Sequence, residues 1–300
     1  MASQSKDSPI RYVIATRKKA ARRWSLADMA GYVAAPLFGS RLIFPRLLAQ
    51  TLTASGRSHP GPVLPVAWAL RYFRQRLVIW IPPSLLTHKL AEDVHTGEQA
   101  LWLGASFLDG ADWSGALMPL ADLPVHSEMA DLIRFGEDFR NSPSYKRLLR
   151  LLNRGRPVKR NMVALSSPEL IDQYFMTYLN LLDSVRSHGL LPRAAAPGET
   201  TWKSAARRRS ERDIGIAIGA DGELLRFRHG QHRTALAQLL GLPAIPVELR
   251  MVHADWLKRQ VARTKLPPAE ALLAGLAEYD LQHRPDWRPE LEQNQQPLQV

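Results

Sequence analysis

His232 and Arg233 stand at the one place in this chain where residue type and spacing point to chemistry rather than to packing. They follow Gly230-Gln231 and precede an apolar-periodic run, so they fall where a turn becomes a helix. A helix start carries N–H groups without intrahelical partners and the positive end of the helix dipole, which favours an anion. An imidazole and a planar guanidinium beside those donors would complete a phosphate site. Gly230 lets backbone approach a ligand closely, and the amides from Gly230 and Gln231 onward join the phosphate-binding set. The bland alternative makes Arg233 a structural anchor for a carboxylate and His232 a satisfied histidine at a helix cap.

Chemistry on a bound phosphate needs a carboxylate to activate the acceptor or to hold a divalent cation. Glu211 and Asp213 stand just before the core strand, and Asp109 and Asp112 form a second acidic pair. Arg208, at the centre of Arg207-Arg208-Arg209, could neutralise transferred charge. The same basic stretch, 193–212, equally suits a disordered connection. No His-x-x-x-His or cysteine-rich spacing marks a zinc site, so no metal ligand is identified from spacing. The pair His253 and Trp256 reads as an imidazole packed on an indole. A P-loop, a Gly-x-Ser-x-Gly nucleophile turn and a dinucleotide glycine fingerprint are all missing.

The elements that must position the pair are legible around it. Ile214, Ile216 and Ile218 alternate with small residues, as in a half-buried strand. Asp221-Gly222 is a hairpin signal, and Leu224 to Arg228 returns as the partner strand. Ala235, Leu236, Leu239 and Leu240 fit one helical face that Gly241 ends, and Ala244 to Met251 resumes as a strand. Upstream, Met129 to Asn153 is helical with a break at Asn141-Ser142-Pro143. A further helix runs from Ser167-Pro168 to Gly189, its aromatic stripe read as packing.

At Gly230-Gln231-His232-Arg233, followed by a small-residue helix and Ile245-Pro246-Val247, the chain resembles the ParB/sulfiredoxin-like superfamily. The confident match runs from about Glu211 to Trp256. Weaker likeness to an uncharacterised branch extends over Arg76–Ser84, Phe107–Trp113 and Phe135–Tyr145, although Ser114 stands where a second acid is expected. The resemblance implies nucleotide phosphates at Gly230, His232 and Arg233, with a nucleoside triphosphate or diphosphate and Mg²⁺ as cofactors. It also carries an association with surface-polysaccharide or glycan systems. Gln231 replaces the reductases' catalytic cysteine and the chain has no cysteine at all, which excludes thiol-based sulfinic acid repair. Only about fifty proline-broken residues follow Met251, too few for the helix-turn-helix of partition proteins. A kinase-like phosphotransferase acting on a small-molecule, glycan or lipid-linked acceptor is the leading expectation. A non-catalytic nucleotide sensor and a nonspecific nucleic-acid binder or nuclease are the alternatives.

Composition bounds the rest. With 300 residues, 45% of them hydrophobic, the chain can bury a proper core. Of its +12 formal charge, residues 1–80 carry +11, with 13 Lys or Arg against Asp7 and Asp28. The run Arg17–Trp24 and the apolar stretch to Leu52 suit an anionic membrane surface or an acidic polymer; nucleic acid is a weaker fit. The absence of cysteine, of a secretory signal and of a spanning segment suits the cytoplasm, with peripheral membrane association through the basic end. The expected fold is α+β, a small mixed sheet with flanking helices. The expected division is a basic extension at 1–62, a core at 63–260 with a helical insertion at about 129–190, and a C-terminal helix and mobile tail at 261–300.

Overall fold

The computed structural model describes residues 10–15, 33–56, 63–97, 99–160, 163–192 and 213–281. Arg208, Glu211, the basic run Arg17–Trp24, residues 57–62 and the tail from 282 onward lie outside these described residues. The chain is α+β. Its strands are β1 (Val13–Ile14), β2 (Val78–Ile81), β3 (His88–Leu90), β4 (Asp93–Thr96), β5 (Gln99–Trp102) and β6 (Leu108–Asp109). They continue as β7 (Leu117–Pro119), β8 (Lys159–Arg160), β9 (Val163–Ala164), β10 (Ile214–Ile218), β11 (Leu224–Arg226) and β12 (Ile245–His253). The helices are α1 (33–38), α2 (Phe44–Ala54), α3 (Val66–Phe73), α4 (Pro124–Phe135) and α5 (Pro143–Asn153). After them come α6 (Pro168–His188), α7 (Gln231–Leu239), α8 (Ala254–Thr264) and α9 (Pro268–Ala277).

The main sheet is mixed and, at seven strands, larger than the sequence suggests: its order is β2-β12-β10-β11-β3-β7, with β6 added beside β12. Its spine is the anticipated unit. β10 and β11 form an antiparallel hairpin across Asp221-Gly222, where Gly222 has φ +95°, and α7 carries the chain over to β12, parallel to β10. β10 is buried along both faces rather than one. Ile214, Ile216 and Ile218 join Val247 and Leu249 in the main core, while Ala217 faces Leu225, Phe227 and Met251. The small residues between the isoleucines are therefore a packing requirement. A methyl group on Gly215 would lie 2.2 Å from the Phe227 carbonyl oxygen.

Helices α4, α5 and α6 build a second apolar cluster around Met129, Leu132, Phe139, Leu148, Phe175 and Leu182. Ser142 and Ser167 cap α5 and α6 by accepting from the amides of Tyr145 and Leu170, and Gly189 ends α6. Helix α7 joins the two layers. Its Ala237 packs in the sheet cluster, and its Ala235 and Leu236 pack in the helical cluster. A helix gripped from two sides must be narrow there, which accounts for its alanines.

Helices α2 and α9 pack into the main core. Phe44, Leu48 and Leu52 of α2 lie in the main core, as do Leu272 and Leu276 of α9. The expected boundary near residue 260 falls inside α8, whose Trp256 and Leu257 are core residues. Among the described residues, no helix is long and apolar enough to cross a membrane.

Candidate functional site

The turn into α7 is built on Gly230. Its φ is +85°, and it caps the helix without any side-chain oxygen. A Cβ at this position would sit 2.6 Å from Ile214 Cγ1 and 2.9 Å from Ile214 Cα. The close approach that demands glycine is thus to the chain's own strand β10, not only to a ligand. Arg228, two residues earlier, also takes positive φ, at +71°, so the strand bends sharply into the helix. Gln231 and Arg233 are partly exposed at the first turn, whose amides have no residue four back within the helix to bond.

His232 turns the other way. It is only 5% exposed, and its ring stacks on Tyr178 with centroids 3.8 Å apart and planes 12° from parallel. Its Nε2 lies 2.9 Å from the Tyr174 hydroxyl, which donates to Glu128 Oε2 at 2.6 Å. Glu128 is fully buried on α4 and accepts from Arg147 at 2.7 Å and from Arg160 at 3.1 and 2.5 Å. With the Tyr174 proton committed to the carboxylate, its oxygen accepts from His232, and Nε2 is the protonated nitrogen. The sequence-based expectation that His232 presents its ring to a phosphate is therefore corrected: Nε2 points into the helical layer. Burial and then the Glu128 charge hold the Tyr174 phenol well above its ordinary pKa. Burial alone would weaken the charge on Arg160, but the Glu128 carboxylate outweighs it and raises the guanidinium above its usual value.

The candidate acids separate cleanly. Asp213 immediately precedes β10 and so stands beside Ile214 and the turn. Asp109 pairs in register with His253, whereas Ile214 pairs with Val247 at the other end of β12. Six residues of strand put Asp109 about 20 Å from the turn. Asp109 is buried and accepts from Tyr12 Oη (2.9 Å), Ala111 N (3.1 Å) and Trp113 Nε1 (2.6 Å), so it is an anchor for the N-terminal strand. Asp112 accepts from Ser114 N at 2.8 Å and faces Arg11 at 3.7 Å. Neither residue shares a site with Arg233. His253 does pack on an indole, but on that of Trp113 at 5.0 Å, while Trp256 lies in the main core. Its Nε2 donates to Ala111 O and its Nδ1 accepts from Asp255 N, so it caps α8.

Glu128, Tyr174 and the two arginines escaped sequence reasoning, yet each left a trace. Glu128 interrupts the apolar stripe Val125-Met129-Leu132 at i, i+3, i+4 and i+7 spacing, an acid on a face that must be buried. Tyr174 and Tyr178 lie four residues apart on the buried face of α6. What the sequence lacks is any sign that both faces meet His232. A hollow beside the turn is lined by Leu123, His126, Gln231, Thr234 and Gln238, between the starts of α4 and α7. Among the described residues no group of three or more His, Asp or Glu side chains is placed to hold a metal ion.

The buried phenols have a consequence for stability. Tyr174 and Tyr12 are both held above their ordinary pKa, by burial first and by Glu128 and Asp109 second. The folded chain keeps these protons while the unfolded chain releases them near pH ~10, so their contribution is intact below that pH and is lost as pH rises beyond it. Urea unfolding midpoints should hold steady to about pH 9 and fall by pH ~11. A midpoint unchanged across that range would contradict the network. Comparison of the chain with protein-family models, curated proteins and solved structures finds no match.

Proposed function

We propose that this chain binds the phosphates of a nucleotide at the Gly230–Arg233 turn and acts as a phosphotransferase of the ParB/sulfiredoxin-like type. The observation that carries the reading is the construction of the turn. A glycine-capped helix start is held rigidly between sheet and helical layer, with Arg233 partly exposed on its first turn. Buried carboxylates and arginines are costly to place inside a fold, so the Arg147–Glu128–Arg160 cluster behind His232 supports a site whose geometry matters. In this reading the first-turn amides and the Arg233 guanidinium bind phosphate oxygens, and His232 orients the turn from behind. An acceptor hydroxyl oxygen attacks the terminal phosphorus, the bond to the bridging oxygen breaks, the nucleoside diphosphate leaves, and the hydroxyl proton passes to Asp213. Asp213 is also the described carboxylate that would hold Mg²⁺ together with the phosphates themselves, one carboxylate plus ligand oxygens being a common arrangement for that ion. Bound there, Mg²⁺ would neutralise charge on the phosphates.

One feature favours a second reading, a nucleotide-sensing regulator. His232 links the turn directly to α4 and α6, so occupancy of the turn could alter the packing of the helical layer. Nucleotide binding without phosphate transfer to any acceptor would select it. Calorimetric titration with ATP, ADP, CTP and GTP in Mg²⁺ tests both readings at once. Saturable binding is expected for the wild-type chain, and Arg233→Ala should weaken it roughly 10- to 100-fold, as for loss of a charged hydrogen bond. A folded wild-type chain that binds none of the four would overturn the reading.

A further inference from the structure

In the sheet that carries the turn, two cations lie side by side with no ion-paired acid among the described residues. Arg226 on β11 is directly paired in register with Lys89 on β3 and with Ile216 on β10. Paired residues share a sheet face, and Ile216 and Leu224 place that face in the main core, the same core that receives Ala237 of α7. Arg226 is 1% exposed, and its Nη1 donates to the carbonyl of Arg228 at 2.7 Å, two residues before Gly230. Its Nε is buried with no hydrogen-bond partner. Ile214, which touches Gly230, is two residues along β10 from Ile216, so Arg226 stands one strand over and about 7 Å further along the sheet than the residue that supports the turn.

The contrast with the other buried charges is informative. Arg250 has Glu248 at 2.5 Å, and Glu128 has two arginines. Among the described residues, neither Arg226 nor Lys89 has a carboxylate within ion-pair distance; Glu92, the nearest influence on Arg226, stands 3.9 Å from Arg228 instead. Burial lowers the pKa of both: that of Arg226 is pushed down to about 10, and that of Lys89 falls through burial and then through Arg226, with Glu92 and Asp93 opposing. Unpaired buried charge is expensive, and like charges in contact add to that expense. An anionic group of a ligand would relieve it.

We propose that Lys89 and Arg226 form a second anion subsite next to the turn, which receives the second phosphate of a diphosphate-bearing ligand. Lys89, half-buried and so reaching solvent, is the contacting group, and Arg226 beside it supplies field and holds the Arg228 carbonyl. The inference rests on the phosphate-binding reading of the turn and deepens it: the pair selects nucleoside di- and triphosphates over monophosphates.

The test is thermal unfolding and titration of the full chain with orthophosphate, pyrophosphate, AMP and ADP, for wild type, Lys89→Met and Lys89→Gln. In the wild type, pyrophosphate and ADP should bind at least about tenfold more tightly than orthophosphate and AMP, a difference of one charged contact. In Lys89→Met that preference should disappear, while the ligand-free protein melts no lower than wild type because an unpaired charge has been removed. Lys89→Gln reports the same preference should the methionine variant misfold. The subsite is overturned if either folded variant keeps the wild-type preference, or if ligand-free Lys89→Met is destabilised and still discriminates. If orthophosphate and AMP bind but pyrophosphate and ADP bind no better, the subsite fails and the turn reading stands. If none of the four binds, both fail.

Discussion

Glu128→Ala is expected to cost about 3–5 kcal/mol of folding stability, the range seen when one member of a buried ion pair is removed and its partner stays behind. Arg160 is the reason the effect is large. Its side chain is only 12% exposed, so most of it cannot turn to water. Arg147, at 37% exposed, can partly rehydrate and contributes less. Tyr174, the partner of His232, would at the same time lose the acceptor for its proton. For a chain of this size a loss of that order lowers the melting temperature by roughly 10 °C. Glu128→Gln keeps shape and one acceptor oxygen but leaves both arginines uncompensated, so it should fall most of the way to alanine. Differential scanning calorimetry decides the matter. A shift under about 2 °C for both variants would mean that the cluster is solvated and that His232 is not held by it.

Gly230→Ala should damage stability and the candidate site together. The left-handed conformation at φ +85° alone costs a non-glycine residue about 1 kcal/mol or more. The added methyl must also clear Ile214 Cγ1 at 2.6 Å and the Ile214 backbone at 2.9 Å. The side-chain atom could rotate away; the Cα of a central strand cannot. The turn must therefore lift off β10, which drags the start of α7 away from Tyr174 and Tyr178. A total near 2–4 kcal/mol is expected from strain and displaced packing. Nucleotide binding should be lost in protein that remains folded at low temperature, because the amides of the first turn no longer converge. Circular dichroism melts with parallel titration provide the check. A Gly230→Ala protein with wild-type melting and wild-type affinity would show that the turn has room that the geometry denies. Gly241→Ala is the matched control: its φ is +63° but nothing lies within 4 Å of its missing Cβ, so only the conformational cost applies.

The strand-turn-helix-strand unit from Ile214 to His253 is legible in the residue order, because each of its signals is local. Asp221-Gly222 closes a hairpin through its own backbone preference, Gly230 and Gly241 bracket a helix, and isoleucines alternate along a strand. The break at Asn141-Ser142-Pro143, the helix start at Ser167 and the stop at Gly189 are legible for the same reason. That Asp213 adjoins the turn also follows from chain order. Tertiary structure alone decided which way His232 faces. Its partners are Tyr174 and Tyr178, backed by Glu128, Arg147 and Arg160, and a helix announces which of its faces is buried but not what lies across from it. The same limit explains Asp109 and Asp112. Their spacing suits a catalytic pair, yet the register of β6 on β12 sets them at the far end of the sheet. Lys89 and Arg226 sit in strands 134 residues apart at their nearest ends, and only parallel pairing of β3 with β11 brings two like charges together. Local backbone chemistry writes the turn; long-range register and the meeting of two buried faces decide what surrounds it.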